Sequence, residues 1–144
     1  MNPERWTREE IWAATAQGRR DLVALLESLD AAEWDADSLC SGWRVRDVVA
    51  HLVLGTNVGP FAATREMVRY RGNFNRMVRE TAIRRADPVE TLVEDLRAVI
   101  HSRRHPPGTV PFDPPTDVLV HTQDVAIPLG RTVAMPPTTA RAAA

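Results

Sequence analysis

The chain of 144 residues suits a single domain, and its 44% hydrophobic content is enough to bury a core, which excludes global disorder. A formal net charge of −1 argues against a nucleic-acid binder that depends on overall charge, and the apolar runs are shorter than the ~20 residues of a membrane helix. The lone cysteine, Cys40, excludes an internal disulfide. The N-terminus is charged and does not resemble a signal peptide. We therefore expect a cytoplasmic protein with no nucleic-acid or membrane partner.

The spacing of apolar residues and the presence of capping residues predict two helices in the first half of the chain. Thr7 and Glu10 form a capping-box pattern, and the apolar residues that follow recur at helical spacing, which predicts a first helix over residues 7–29. A second helix is predicted to begin near Arg44. It is expected to continue past residues 59–60 with a bend at the Gly-Pro pair.

The second half of the chain predicts two more helices and a loop. Residues 71–86 are rich in arginine and give no clear assignment. Asp87, as an N-cap before a proline, predicts a third helix over residues 87–103. The proline-rich stretch 105–115 predicts a loop, and a fourth helix is predicted over residues 114–129.

These four helices, with no strand-like alternation, predict an all-α four-helix bundle with long connections. We expect the bundle to occupy residues 1–134. Residues 135–144 are expected to be a C-terminal tail, frayed or cut short.

Polar residues interrupt the fourth predicted helix in a pattern that suits a metal site. Asp117 and His121 are four residues apart, so both side chains can point at the same position, and Asp124 lies near the same stripe. His51 stands in an apolar stretch of the second predicted helix. Three ligands from two facing helices would leave an open position on the metal. The alternative is a set of core histidines hydrogen-bonded to their neighbours, and the spacing alone does not separate the two.

Two stretches resemble the mycothiol-dependent maleylpyruvate isomerase family of the DinB-like superfamily. They are Cys40-Ser41-Gly42-Trp43-Arg44-Val45-Arg46-Asp47-Val48-Val49-Ala50-His51-Leu52 and Asp117-Val118-Leu119-Val120-His121-Thr122-Gln123-Asp124-Val125-Ala126, with Pro128-Leu129-Gly130-Arg131 after the second. The resemblance implies a metal-binding four-helix bundle and covers nearly the whole chain.

The resemblance also implies a ligand set and a cosubstrate. The family's metal ligands are a histidine and a Glu/His pair, and they map onto His51, Asp117 and His121. Aspartate replaces the glutamate at position 117. Zinc is the metal expected, and mycothiol is the thiol. The family's isomerase has a further C-terminal domain that this chain, ending at Ala144, lacks, so the resemblance implies the fold and metal site more strongly than the substrate.

Four further residues each have two interpretations. Cys40 is either a thiol activated by the helix that follows it or a small buried hydrophobe. Asp47 either complements the helix dipole or supports His51 as a second layer around the metal. His101 and His105 are surface groups or, less readily, a second metal pair.

The arginines between residues 65 and 85 are either a solvated face or an anion-binding rim for a carboxylate substrate. Trp34 and Trp43 are predicted to pack between helices rather than to form a ligand platform.

Three classes of function follow. The leading one is a metal-dependent isomerase or S-transferase that joins a small-molecule thiol to a small electrophilic substrate. The second is a non-catalytic metal-binding or metal-sensing module. The third is a metal-free structural bundle that forms a homodimer through an apolar helix face.

Overall fold

The computed structural model describes residues 7–104 and 113–134. Within these ranges the chain forms seven helices and no strand: α1 (Arg8–Glu27), α2 (Ala31–Trp34), α3 (Val45–Asn57), α4 (Pro60–Arg69), α5 (Phe74–Arg84), α6 (Val89–Ala98) and α7 (Asp113–Ala126). The all-α prediction is confirmed. Among the residues described, no helix combines the length and the apolar character needed to cross a bilayer.

Four of the helices form the bundle. α1 packs against α6 and α7, and α3 packs against the same two helices, so the four enclose one core. α5 lies against α3 on the outside, and α4 lies against α5. The predicted contact between the second and fourth helices of the bundle is therefore present, as the pair α3 and α7. This pair carries the predicted metal ligands.

The core consists of aliphatic side chains from all four bundle helices. Fully buried examples are Leu22, Leu26, Val45, Val48, Val49, Val53, Leu92, Leu96 and Val125. Burying a side chain of this kind contributes about 1.5–3 kcal/mol. α1 packs closely against α7 at Gly18, where an added Cβ would lie 3.1 Å from Val118 Cγ1. A larger residue at position 18 would push α7, and the site residues on it, away from α1.

The first two predicted helices differ from the structure at their ends. The capping box of Thr7 and Glu10 is present, but α1 ends at Glu27, where the Ser28 N–H bonds to Leu25 O and tightens the last turn. The predicted bend near residue 59 is a full break. Val58 is extended, and Pro60 begins a separate helix, α4, because proline suits the first position of a helix.

The arginine-rich stretch that gave no assignment contains α5. Its N-cap is Asn73, whose side chain accepts a hydrogen bond from the Arg76 N–H at 3.0 Å. The N-cap predicted at Asp87 is wrong by one residue. Pro88 occupies the cap position of α6, while the Asp87 carboxylate pairs with Arg85 at 2.6 Å.

The third predicted helix ends early, at Ala98 rather than Arg103, and the fourth ends at Ala126 rather than at residue 129. Beyond α7 the chain turns at Gly130, whose positive φ of 63° suits the glycine predicted to stop the helix. The predicted loop from residue 105 falls outside the described residues as far as residue 112, and its last three residues belong to α7. The predicted tail, 135–144, also lies outside them.

Candidate metal centre

α3 and α7 bring together the three side chains that the sequence singled out. Asp117 Oδ1 lies 3.4 Å from His121 Nε2 and 3.8 Å from His51 Nε2, and the two imidazole rings meet edge to face at 5.1 Å. Both histidines are largely buried, whereas the Asp117 side chain is 45% exposed. We refer to His51, Asp117 and His121 as the histidine cluster. It is open to solvent on the side of its carboxylate.

The donor atoms of the histidine cluster fit a zinc ion. All three lie within 4.8 Å of one another. Zn–N and Zn–O bonds of about 2.0–2.1 Å in tetrahedral geometry separate neighbouring donor atoms by about 3.3 Å. The separations of 3.4 and 3.8 Å from Asp117 Oδ1 are near this value, and two imidazoles with one carboxylate are a ligand set that zinc accepts.

Electrostatics within the histidine cluster favour a positive charge beside Asp117. Burial would by itself raise the pKa of Asp117, but hydrogen bonds from His121 and His51 outweigh it and hold that pKa well below its usual range. Burial would lower the pKa of His121, yet Asp117 and Asp124 raise it above the ordinary value. These contacts favour the protonated form of His121 in the metal-free protein, and a divalent cation would compete with the proton on Nε2.

A second group of residues surrounds the other nitrogen of His121. Asp124 Oδ2 lies 3.0 Å from His121 Nδ1, and the Cys40 thiol donates to the same Asp124 oxygen at 3.2 Å. Because an ionised carboxylate only accepts hydrogen bonds, the Asp124 contact favours a proton on Nδ1, so Nε2 is the nitrogen that would give up its proton to a metal. Asp124 is thus the residue that orients His121; the sequence analysis considered such a supporting role only for Asp47, beside His51.

Cys40 reaches this position on a loop that the sequence alone did not place. Burial and the contact with Asp124 raise the pKa of the Cys40 thiol to about 12, so without metal the thiol stays protonated at neutral pH. This protonated state does not fit the interpretation of Cys40 as an activated thiol. In the sequence, the one signal for Cys40 was its place in a turn directly before α3. That position gives no information about contact with α7.

The two tryptophans are buried, as predicted. Trp34 packs in the core, and Trp43 lies with its ring centroid 5.3 Å from that of His51 and 6.5 Å from that of His121. Trp43 therefore packs between helices and also forms one wall beside both histidines. The sequence predicted the packing and not the wall.

Asp47 and His101 are not among the side chains grouped as possible metal ligands. Asp47 accepts the Arg44 N–H at 2.9 Å in a capping box at the start of α3, which supports its role at the helix N-terminus. His101 is exposed, and His105 lies outside the described residues.

Many of the arginines between residues 65 and 85 pair with neighbouring acids, as Arg84 does with Glu66 at 2.9 Å. Such exposed pairs suit the solvated-face interpretation. Arg79 differs because its guanidinium lies over Gly42 and donates to Ser41 O at 3.4 Å, next to the loop that carries Cys40. If an anion-binding rim exists near the site, Arg79 is the arginine placed to form it.

The all-helical bundle, with candidate metal ligands gathered between two of its helices, is a DinB-like helical domain. The chain matches the mycothiol maleylpyruvate isomerase N-terminal domain over residues 15–123, most of its length, and therefore belongs to that family. The matched stretch includes Cys40 and all of the histidine cluster. Comparison of the chain with curated proteins and with solved structures gives no significant match.

Proposed function

We propose that this protein is a cytoplasmic, metal-dependent isomerase or S-transferase that uses mycothiol on a small electrophilic substrate. The observation that carries the proposal is the convergence of His51 Nε2, His121 Nε2 and Asp117 Oδ1 at distances suited to one zinc ion. The chain belongs to a family whose description names mycothiol and maleylpyruvate isomerase. That description suggests mycothiol as the thiol and isomerisation as the class of reaction.

In this proposal the histidine cluster holds the zinc, with a position left for a ligand on the exposed side of Asp117. Bound zinc lowers the pKa of a thiol or water in that position and so supplies a nucleophile at neutral pH. Asp124 holds the proton on His121 Nδ1 so that Nε2 faces the ligand position. Trp43, at 5.3 Å from the His51 ring, keeps water from one side.

The state of Cys40 supports an external thiol. With a pKa of about 12 the Cys40 side chain is not a nucleophile at neutral pH, and it lies on the Nδ1 side of His121, away from the proposed ligand position. The protein therefore requires a nucleophile from solution, which a small-molecule thiol provides. A cytoplasmic location suits such a thiol because that compartment keeps thiols reduced.

The test is a thiol-consumption assay with zinc-loaded protein, mycothiol and maleylpyruvate or another activated alkene. We expect catalysed turnover that is lost in His121→Ala and retained in His101→Ala, a matched control because His101 is exposed and outside the cluster. Zinc binding without turnover on any electrophile would favour the non-catalytic metal-binding module instead. Absence of zinc binding would leave the metal-free structural bundle.

A further inference from the structure

Three donor atoms of different chemistry meet on the Nδ1 side of His121. Cys40 Sγ lies 3.6 Å from His121 Nδ1 and 3.2 Å from Asp124 Oδ2, and these last two atoms are 3.0 Å apart. A tetrahedral ion with a metal–sulfur bond of about 2.3 Å and a metal–nitrogen bond of about 2.0 Å separates sulfur from nitrogen by about 3.6 Å. The donors therefore stand close to coordination distances.

Backbone hydrogen bonds fix the loop that carries Cys40 to α7. The distances from Cys40 to His121 and Asp124 are therefore set by the packing of the loop. The Leu39 N–H donates to Asp124 O at 3.0 Å, which joins the loop to α7 directly. Within the loop, the Cys40 N–H donates to Ser38 Oγ at 3.1 Å, and the Trp43 N–H donates to Cys40 O at 2.9 Å. Backbone on both sides of the thiol is thus held in place.

We infer that Cys40, His121 Nδ1 and Asp124 form a second metal site, selective for thiophilic divalent cations such as Cd²⁺. Thiolate ligands favour soft cations. The nitrogen and oxygen donors of the histidine cluster have no such preference. The inference shares His121 with the proposed function but does not depend on zinc binding at the histidine cluster.

Occupation of this second site excludes occupation of the first. A neutral imidazole has one lone pair, which the histidine cluster needs on Nε2 and the Cys40 site needs on Nδ1. When the cation binds at the Cys40 site, the S–H bond breaks, a metal–sulfur bond forms, and the thiol proton leaves to solvent. The ring proton of His121 then resides on Nε2, which lies 3.4 Å from the Asp117 carboxylate. One chain should therefore hold one ion, in one site or the other.

The test is a titration with Cd²⁺ and Co²⁺, followed by the thiolate-to-metal charge-transfer band in the ultraviolet and by protection of the thiol from a disulfide reagent. Wild type and His51→Ala should both develop the band and protect the thiol at about one equivalent. Cys40→Ser should show no band. Asp124→Asn and His121→Ala should each weaken cadmium binding at least about 10-fold, which a cysteine acting alone would not show.

Either of two results would overturn the inference: a thiol in wild type that reacts equally fast with and without Cd²⁺, or a band unaffected by the changes at Asp124 and His121. Two ions per wild-type chain would overturn the exclusion between the sites. Zinc binding to Cys40→Ser is measured in the same series, and it tests the histidine cluster separately. Failure of zinc to bind Cys40→Ser while His51→Ala keeps its cadmium band would reject the proposed function and leave the second site standing.

Discussion

Two groups of polar side chains in the bundle, Arg19 and the histidine cluster, have different kinds of partner. On α1, Arg19 is 2% exposed, and its Nη1 donates to three backbone carbonyls just after α6: Val99 at 2.7 Å, Ser102 at 2.8 Å and Ile100 at 3.3 Å. Between α3 and α7, the side chains of the histidine cluster contact one another rather than the backbone, and one of them, Asp117, is open to solvent.

This difference separates a structural role from a binding role. Arg19 satisfies carbonyls that the end of a helix leaves without partners, so its hydrogen bonds serve the fold. Within the part of the chain that the structure describes, the histidine cluster bonds to no backbone group, and its donor atoms lie within 4.8 Å of one another beside the exposed Asp117 carboxylate. We therefore expect changes at Arg19 to cost stability and changes in the cluster to cost ligand binding.

The largest effect on stability should come from Arg19→Met, which keeps the aliphatic stem but removes the guanidinium. Three carbonyls would lose their donor, and we expect a loss of about 3 kcal/mol in the free energy of unfolding, measured by urea denaturation. Arg20→Met is the matched control, because Arg20 is exposed and bonds only to Gln17, and it should change stability by about 0.5 kcal/mol or less. If the two variants were equally stable, the claim that Arg19 stabilises the fold would be wrong.

His51→Ala tests the other half of the comparison, in which ligand binding is lost and stability is largely kept. Without metal, it should lose only about 1 kcal/mol, because His51 is partly exposed and bonds to no backbone group in the structure described. Zinc at 100 times its dissociation constant should stabilise wild type by about 2.7 kcal/mol and His51→Ala by less, because that variant keeps only the Cys40 site. Thermal unfolding with and without zinc measures both quantities. Equal stabilisation of the two proteins would place the ion elsewhere.

The stability of the metal-free protein should depend on pH through the histidine cluster. The pKa of Asp117 is lowered, so its contribution is present above about pH 3.9 and is lost as the pH falls. The pKa of His121 is raised, so its contribution is complete below about pH 6.5 and is lost as the pH rises through the folded-state value. Unfolding at a series of pH values should show a decline above about pH 6.5 that His121→Ala reduces. An unchanged decline in the variant would assign it to other groups.

A smaller effect is expected from the length of the carboxylate ligand. Asp117→Glu should retain zinc, because it restores the ligand type of the family, whereas Asp117→Asn should weaken zinc binding about 10- to 100-fold through loss of the charge. Calorimetric titration of both variants compares them directly. Equal affinity in wild type and Asp117→Asn would show that Asp117 does not bind the ion.

The smallest effect concerns the arginine-rich segment. Arg79→Ala should weaken binding of a dicarboxylate to the zinc-loaded protein about 3- to 10-fold, a loss typical of one exposed charge. Arg69→Ala with Arg76→Ala, in the same arginine-rich segment, serves as the control, since Arg76 lies within 4.0 Å of Glu80. Neither variant should alter thermal stability. A loss of affinity in the control alone would move the rim to Arg69 and Arg76.

Sequence patterns predicted the bundle helices and the Asp117–His121 pair because these depend on short-range spacing, whereas the complete set with His51 was implied by the family resemblance. The capping box at Thr7 and the four-residue step from Asp117 to His121 are local features with a direct structural meaning. Cys40 was not placed because its contact with Asp124 spans 84 residues and depends on how a loop packs against α7. The early end of α6 was missed for a similar reason, since Arg19 on another helix binds the carbonyls that follow it.

The most direct test of the central claim is the zinc content of the purified protein, measured after zinc loading and removal of excess metal. Wild type should bind about one equivalent, as should His101→Ala, because neither lacks a ligand of the histidine cluster. His121→Ala removes the residue that both metal sites share and should fall to background. Binding of less than about a tenth of an equivalent by wild type would contradict the account, and the cluster would then be a hydrogen-bonded polar group within the bundle.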